Sequence, residues 1–452
     1  MKKRLLAIIV LLIILVGCTG KMQNGNGDIM SISDQNDVKE YIPPKMEGEI
    51  SISTMNEDEY LTIAAQKFMS KYPNVKVIIN SYMGTEDEDD TGVSKVDSMA
   101  VENYRNHLNT KIMTGKVEDI IFTGLLPVQK YINIGAFEDL SKFINLTPEI
   151  NSDNYFMNVL EAPKDENGKI HTLPIRCALS IVSFNKQLVT DSNKKMDDGM
   201  TKISFEKAAE FAQQLVDNTN RKNTFLSLEE GAHFFNRAFN DYRNEFIDMG
   251  NKKANITDQY VTLLNHVKDL EEKGYFDTEN SIDFYNMEYY FAFGIDFDMQ
   301  AAFYSLLPDT YVYAMPLSDA NGNVYLNPNS DIGISSTSKN KELAWEFVKF
   351  LLSDEVQSLP SFYGLGVNKK GLDASVERIL KMYNDGNNEK VSKEAYKSLL
   401  EKWIMEINAY DTSDPIITDF VWEESKKFFD GKQSAEEAAR ILQAKIDKYF
   451  NE

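Results

Sequence analysis

The chain has 452 residues, of which 70 are Asp or Glu and 48 are Lys or Arg, so its formal net charge is -22. A charge this negative repels phosphate backbones and argues against nucleic acid as a partner. The 4 His and 2 Cys leave few ligands for a usual zinc site, and we expect neither a metal nor a cofactor. The length favours two or three domains over one compact core.

The first twenty residues have the pattern of an export signal. Three basic residues at positions 2–4 precede an unbroken apolar run at 5–16. Twelve helical residues span about 18 Å, well short of the roughly 30 Å hydrocarbon core, so a secretory signal is favoured over a transmembrane helix. The tetrapeptide LVGC at 15–18 resembles the bacterial lipobox, in which cleavage precedes a Cys that takes a lipid. We therefore expect a signal peptide over 1–17 and lipid attachment at Cys18, which would anchor the protein outside the cytoplasm on the cell membrane.

Removal of the signal changes the charge and the cysteine count. The mature chain keeps 45 basic and 70 acidic residues, a net charge of -25, and after lipidation Cys177 is its one remaining thiol. An intramolecular disulfide is therefore excluded. Residues 18–47 are polar, and we interpret them as a flexible linker, with ordered structure beginning near Gly48.

The first part of the folded chain alternates predicted strands and helices. Strands are predicted at 49–53, 75–79 and 119–122, and helices at 58–72 and 101–113. This order predicts an α/β lobe with a largely parallel sheet. Further helices are predicted at 131–144 and 152–160, and further strands at 170–175 and 180–184.

Helices dominate the second half of the prediction. Amphipathic helices are predicted at 204–217, 257–273 and 341–352, short strands at 312–315 and 331–334, and almost wholly helical structure at 374–450. Ser338 is the predicted cap of the 341–352 helix. Trp345 shares one face of that helix with other apolar residues, so we interpret it as a core residue and not as a ligand-stacking one.

An acidic run at 86–90, EDEDD, allows two interpretations. It could bind calcium or another cation, but it lacks the alternate ligands and central Gly of an EF-hand loop. A solvated surface loop is the interpretation we favour. No short motif of nucleotide binding, serine hydrolysis or zinc proteolysis occurs, and the four His share no metal or triad spacing.

Four segments carry the motifs of a known family. Residues 108–144 contain G-x-x-x-D-I and G-x-x-x-D-L-S, and residues 167–189 contain a strand pair with G-K, Pro and N-K. Residues 331–357 contain G-I-x-x-x-S-K-N-K-E-x-A-W-E-F-x-x-F-L, and residues 414–451 match the closing helices. Together these segments resemble the extracellular solute-binding proteins of ABC transporters, in the carbohydrate-binding family that includes maltose-binding protein.

The resemblance implies a fold and a role. The fold would be α/β, a two-lobe periplasmic-binding-protein-like fold with discontinuous lobes and a hinge cleft. Lobe one would hold 48–176 and 318–362, and lobe two would hold 177–317 and 363–452. The protein would be a monomer without catalytic residues that captures a carbohydrate or related small solute and delivers it to the permease subunits of an ABC importer.

Candidate ligand-binding residues lie where the strands end, since ligands bind beyond the carboxyl ends of the strands in such sheets. Aromatic faces would stack on sugar rings and polar groups would bond their hydroxyls. The candidates are Met55, Asn56, Glu57 and Tyr60 after the first strand, Tyr82 after the second, Thr123 and Gly124 after the third, Arg176 and Cys177 at the hinge, and Asp296, Phe297 and Asp298 in lobe two.

Some of these positions depart from maltose-binding protein. Thr123 stands where that protein has a stacking Trp, and Cys177 stands where it has an acidic contact, so the resemblance does not extend to maltodextrin specificity. Arg176 could bind a uronate or satisfy a structural carboxylate, and the sequence leaves both open.

Two other functions stay open from the sequence. A secreted carbohydrate-active enzyme would need a pair of carboxylates across the cleft, such as Asp296 with Glu57. A binding protein for a peptide or another polar solute would share the fold and differ only in the cleft.

Overall fold

The computed structural model of the protein describes residues 43–83, 98–185, 200–210, 225–226, 231–276, 291–294, 299–307, 312–384 and 390–451. The predicted signal peptide, Cys18, most of the predicted linker and the acidic run at 86–90 lie outside the described residues. The candidates Asp296, Phe297 and Asp298 also lie outside them. In the part of the chain that is described, no helix is both long enough and apolar enough to cross a membrane.

Short strands alternate with helices along the described chain. The strands are β1 (Gly48–Thr54), β2 (Val75–Ser81), β3 (Ile120–Phe122), β4 (Leu173–Pro174), β5 (Arg176–Cys177), β6 (Ile181–Asn185), β7 (Ile203–Ser204), β8 (Phe225–Leu226), β9 (Ile247–Asp248), β10 (Lys253–Ala254), β11 (Phe291–Gly294), β12 (Val312–Ser318), β13 (Val324–Leu326), β14 (Asp331–Ile334), β15 (Leu365–Gly366) and β16 (Ile407–Tyr410).

The helices cover the faces of the sheets. They are α1 (Glu59–Lys71), α2 (Ser98–Met113), α3 (Val128–Asn133), α4 (Ser141–Asn145), α5 (Met157–Leu160), α6 (Gly231–Phe246), α7 (Asp258–Glu272), α8 (Met299–Ser305), α9 (Lys341–Leu351), α10 (Asp354–Gln357), α11 (Lys369–Asn384), α12 (Lys393–Met405), α13 (Pro415–Phe429) and α14 (Ala435–Asn451).

The first sheet has the strand order β2-β1-β3-β14-β4. Strand β1 pairs in parallel with β2 and β3, which confirms the parallel arrangement predicted for this part of the chain. Strand β14 runs antiparallel between β3 and β4. The first residue of β14, Asp331, therefore lies at the edge where β3 and β4 end, and this edge faces the second half of the molecule.

The second sheet has the strand order β7-β12-β6-β11-β8. The chain enters it after β4 and returns to the first sheet with β14, so each sheet is built from segments that are separate in sequence. Two small pairings join the segments that run between the sheets: β15 pairs with β5, and β13 pairs with β16. The result is the discontinuous two-lobe α/β fold that the sequence predicted.

The described residues bury two large hydrophobic cores. The first spans both sheets, since it includes Ile52 of β1 as well as Ile181 of β6 and Ala314 of β12, and the second lies on the other face of the second sheet. In the first core, Phe68 of α1 packs against Phe347 of α9 with ring centroids 5.2 Å apart. In the second core, Phe235 of α6 packs edge-on against Tyr260 of α7 with ring centroids 5.3 Å apart.

Residues 363–452 contribute to both cores. Leu372 of α11 and Leu400 of α12 are buried in the first core, whereas Val421 of α13 and Leu442 of α14 are buried in the second. Because the first core spans both sheets, burial in it does not assign α11 and α12 to either lobe, and the lobe boundaries drawn from the sequence stay a prediction.

Three local predictions differ from the structure. The helix predicted at 131–144 is two short helices, because Gly135 takes a left-handed φ of 71° and Phe137 forms a bridge with Ser335. Ser338 does not cap α9, because its hydroxyl donates to Asp119 Oδ1 at 2.6 Å and Asn340 takes the capping position. The helical prediction for 374–450 is interrupted by β16, which gains its partner only from the distant strand β13.

Candidate functional site

A cleft of about 990 Å³ lies between the two sheets. Its walls come from the loop after β3, the loop at 162–167, one face of α6, the segment at 325–329 and the segment at 410–419. The first two belong with the first sheet, and α6 belongs with the second core. Both halves of the fold therefore contribute walls to the same cleft.

Helix α6 presents a polar stripe to the cleft. The positions 233, 236, 237, 240, 243 and 244 recur every three or four residues, which places them on one helical face. The opposite face holds Phe235, Phe239 and Phe246 in the second core. The residues of the stripe are His233, Asn236, Arg237, Asn240, Arg243 and Asn244.

Several side chains of the stripe are held in place by neighbours. Asn236 Nδ2 donates to Ala232 O at 2.7 Å and to Ser425 Oγ at 3.1 Å. Arg243 pairs with the Asp411 carboxylate at 2.8 Å. Asn240 and Asn244 are exposed to the cleft. The stripe thus combines fixed groups with accessible amides that can donate and accept hydrogen bonds.

Helix α6 and its polar stripe were not predicted from the sequence. Its signal was present as the spacing of Phe235, Phe239 and Phe246 around polar residues, which is the pattern of a helix with one buried face. That pattern predicts a helix but does not identify the residues that its polar face meets, because the other walls of the cleft include distant parts of the chain such as 123–129 and 410–419.

A carboxylate that lines the cleft just after β12, Asp319, is strongly hydrogen-bonded. Asp319 accepts from the backbone N–H groups of Asn321 at 2.9 Å and Asn323 at 2.8 Å, and from the Tyr325 hydroxyl at 3.0 Å. Burial opposes its ionisation, but the hydrogen bonds from Asn323, Tyr325 and Asn321 outweigh burial and hold the pKa of Asp319 below its usual range. Asp319 is therefore a fixed acceptor.

A buried carboxyl group lies directly behind the floor of the cleft. Asp331 is fully buried, and its Oδ2 accepts from the Tyr410 hydroxyl at 2.7 Å. That hydroxyl also lies 3.3 Å from Thr172 Oγ1, and both Tyr410 and Thr172 line the cleft. Thr123 holds the backbone of Asp331, since the Thr123 N–H donates to the backbone oxygen of Asp331 at 2.8 Å.

Burial raises the pKa of Asp331 to about 7, and the hydrogen bond from Tyr410 opposes this shift only in part. The unfolded chain loses the same proton near pH 3.8. The folded state therefore binds more protons between these two values, so the stability that Asp331 contributes is complete below pH 3.8 and is lost as the pH rises to about 7.

Only two of the described candidate residues line the cleft, Thr123 and Gly124. Met55, Tyr60 and Cys177 are buried and are not among the residues that line it. The loop that follows β1 packs its apolar side chains inward, which a strand-end position in the sequence does not reveal.

Three other candidates lie at the surface, away from the walls of the cleft. Asn56 and Glu57 are exposed in the loop after β1. Tyr82 is partly exposed and packs against the rings of Tyr104 and His107, with centroids 5.5 Å and 5.3 Å away. Position after a strand was therefore a sufficient guide to the cleft only for the residues that follow β3.

Arg176 has a structural partner at the hinge. Its guanidinium lies 3.3 Å from the Asp58 carboxylate and stacks over the rings of Tyr60, at 4.4 Å, and Phe362, at 5.0 Å. Of the two alternatives left by the sequence, this geometry is that of a structural carboxylate pair. Next to it, burial raises the pKa of the Cys177 thiol to about 12, so this thiol is protonated at physiological pH.

One ion pair joins the two halves of the fold at the cleft. Arg105 of α2 pairs with Asp419 of α13, and its Nε donates to the backbone oxygen of Leu125 at 2.7 Å. Leu125 follows Gly124 in the loop that lines the cleft. The pair therefore connects a wall of the cleft with a helix of the second core.

Comparisons with known proteins agree with this geometry. A family model described as bacterial extracellular solute-binding protein matches residues 53–358. A solved structure of an extracellular solute-binding protein family 1 member from Alicyclobacillus acidocaldarius aligns with a TM-score of 0.56 at 14% identity, over 90% of this chain and 99% of that one. No curated protein sequence matches the chain.

Two further solved structures show the same fold. The sugar-binding protein MalE from Xanthomonas citri aligns with a TM-score of 0.58 at 13% identity, over 89% of this chain and 98% of that one. An ABC substrate-binding protein from Listeria monocytogenes, in complex with cycloalternan, aligns with a TM-score of 0.54 at 14% identity, over 90% of this chain and 99% of that one. At these identities the structural similarity shows the fold alone. The family model, which matches residues 53–358, shows the family: the chain belongs to the bacterial extracellular solute-binding proteins.

Proposed function

We propose that this protein captures a carbohydrate outside the cytoplasm and delivers it to the permease subunits of an ABC importer. The observation that carries the proposal is the cleft between the two cores, whose walls hold planar amide, guanidinium and hydroxyl groups. The names of the MalE and cycloalternan-bound structures support a sugar as the solute. The lipid on Cys18 would hold the protein at the cell surface.

The chemistry of the walls suits a neutral polyhydroxylated molecule. Asn and Arg side chains can make paired hydrogen bonds to neighbouring hydroxyls. The Asp319 carboxylate instead accepts four hydrogen bonds from Asn321, Asn323 and Tyr325, so it fixes the shape of this wall. Two tyrosines, Tyr325 and Tyr410, line the cleft, and a tyrosine ring is a group that can pack against the apolar side of a pyranose. The volume of about 990 Å³ lies at the upper end of small-molecule sites, which leaves room for more than one sugar ring.

The enzyme alternative gains no support from the described residues. Glu57 is exposed away from the walls of the cleft, and its proposed partner Asp296 lies outside the described residues. The pair that the sequence suggested therefore places no acid and no base at the walls of the cleft.

Native mass spectrometry of the freshly purified mature protein tests the proposal. A co-purifying mass that matches a whole number of sugar units is the expected result. The second step is a thermal-shift panel of raffinose, maltotriose, cellotriose and xylotriose, in which at least one sugar should raise the melting temperature saturably. A peptide mass, or sugar cleavage with product release, would overturn the proposal in favour of one of the two alternatives.

Asn240→Ala is expected to weaken binding of the best panel sugar about five- to tenfold, because it removes an exposed amide from the cleft wall at a cost near 1 kcal/mol. Isothermal titration measures the effect. Asn103→Ala is the matched control, since Asn103 is an exposed helical Asn on α2 away from the cleft. If the two variants bind the sugar with equal affinity, the α6 stripe is not part of the binding site.

Arg105→Ala is expected to weaken binding about two- to fivefold, because an ion pair with a solvent-exposed partner, here Asp419, contributes at most about 1 kcal/mol. The loss should arise because fewer molecules adopt a closed state, in which the two lobes come together over the sugar. Small-angle scattering can follow this as a larger radius of gyration with sugar present. Lys67→Ala breaks the exposed pair with Glu355 at 3.0 Å and serves as the control. A compact sugar-bound Arg105→Ala protein of full affinity would contradict a role in closure.

A further inference from the structure

The two oxygens of the Asp331 carboxyl have different surroundings. Oδ2 accepts from the Tyr410 hydroxyl at 2.7 Å, whereas Oδ1 is buried with no hydrogen-bond partner among the described residues. The strand neighbour of Asp331 is Pro174, which has no backbone N–H to offer. A buried carboxylate oxygen without a donor is costly, so this site favours the protonated acid more than an ordinary Asp site does.

The protonation of Asp331 decides which way the Tyr410 hydroxyl points its proton. A carboxylate can only accept, so when Asp331 is ionised Tyr410 must donate to it, and the phenol oxygen then offers only lone pairs to the cleft. When Oδ2 carries the proton, Asp331 can donate to the phenol oxygen instead. The Tyr410 proton is then free to turn toward Thr172 or toward a bound hydroxyl.

We propose that Asp331 is a positioning residue that sets the hydrogen-bond polarity of Tyr410 at the floor of the cleft. Uptake of one proton at Asp331 converts Tyr410 from an acceptor into a donor toward the bound solute. The consequence for solute binding rests on the function proposed above, whereas the coupling between the two side chains does not.

The surroundings of Asp331 make both states accessible near neutral pH. Burial is the largest influence and raises its pKa to about 7. The titratable groups that approach from β16 and the following residue are Tyr410 and Asp411, and Asp411 is paired with Arg243 at 2.8 Å. The residues at the facing ends of β3 and β4 carry no charge: Phe122, Thr123, Leu173 and Pro174.

A ligand-free NMR titration tests the coupling. Tyrosines are labelled with ¹³C at Cζ, and the Tyr410 resonance is identified by its absence in Tyr410→Phe. We expect this resonance to move with a midpoint near pH 7 in the wild type and to be independent of pH in Asp331→Asn, whose amide can donate to Tyr410 permanently. A Tyr410 resonance that does not titrate, or that still titrates in Asp331→Asn, overturns the proposal.

A second labelling keeps the test decisive if Asp331→Asn does not fold. With ¹³C at the aspartate Cγ, one carboxyl should titrate near pH 7 in the wild type. In Tyr410→Phe the midpoint of that carboxyl should rise, because the hydrogen bond that stabilises its ionised form is gone. An unchanged midpoint in Tyr410→Phe would show that the two side chains are not coupled.

The solute-binding consequence is measured with the panel sugar that gives the largest melting shift. Its affinity should change severalfold between pH 6 and 8 in a way that Asp331→Asn removes, while any contribution of His171 or His233 stays in both proteins. If Tyr410 titrates but no panel sugar binds, the coupling stands and the carbohydrate assignment fails. If a sugar binds and Tyr410 does not titrate, the proposed function stands and the coupling fails.

Discussion

Replacing Trp345 by alanine is expected to lower the free energy of unfolding by about 3–5 kcal/mol, as is usual for large-to-small changes at a fully buried aromatic residue. Trp345 is fully buried and stacks on Phe143 with ring centroids 5.4 Å apart. Its Nε1–H donates to Thr147 Oγ1 at 3.2 Å. The variant would therefore lose packing and leave a cavity between α9 and α4. Urea unfolding of the mature protein measures the change.

Trp345→Phe is the matched control. It keeps an aromatic ring against Phe143 and loses only the N–H and part of the ring volume, and Thr147 keeps its bond to Phe143 O at 2.8 Å. We expect it to lose less than half as much stability as the alanine variant and to bind sugar as the wild type does. A stable alanine variant with lost sugar binding would instead assign Trp345 to the ligand.

Gly124→Ala is expected to destabilise the protein by about 1–3 kcal/mol and to weaken sugar binding with it. A Cβ at this position would lie 2.7 Å from the backbone oxygens of both Asn329 and Pro328. These are backbone atoms of the facing loop, so they cannot move aside as the end of a flexible side chain could. Both loops line the cleft, and the wall must therefore shift to admit the methyl group.

Gly250→Ala serves as the control for this substitution. A Cβ there meets only Asp248 Oδ1 at 3.5 Å, which is ordinary contact. We expect a change within about 1 kcal/mol, with sugar affinity unaltered. Thermal unfolding and isothermal titration of the two variants side by side give the comparison. If Gly124→Ala is as stable as Gly250→Ala and binds sugar as tightly, the loop at Gly124 and the loop at 328–329 are not in fixed contact.

Local patterns in the sequence were sufficient for much of the scaffold. The apolar alternation of β1, the run that forms β3 and the one-sided helix around Trp345 were predicted because each signal lies within a few adjacent residues. The family motifs at 331–357 likewise lie in one continuous segment. The family and its two-lobe fold followed from these local signals.

Strand ends predicted the cleft only in part. Thr123 and Gly124 line it, but Tyr60 and Cys177 follow or end strands equally well and are buried. The difference lies in what packs over each strand end. Phe362 lies against Tyr60 from three hundred residues away, and no local pattern contains that contact.

By itself, the sequence determined the composition of the chain, its lipobox-like leader, most of its strands and helices and its membership of a solute-binding family. Only the tertiary structure decided which polar residues face one another across the cleft. It brought the α6 stripe and the 325–329 segment to the same cleft and set Asp331 behind Tyr410, 79 positions apart in the chain. These juxtapositions arise because the chain leaves the first sheet after β4, builds the second sheet and returns to the first with β14. The free energy that maintains them comes from packing between segments that are distant in sequence.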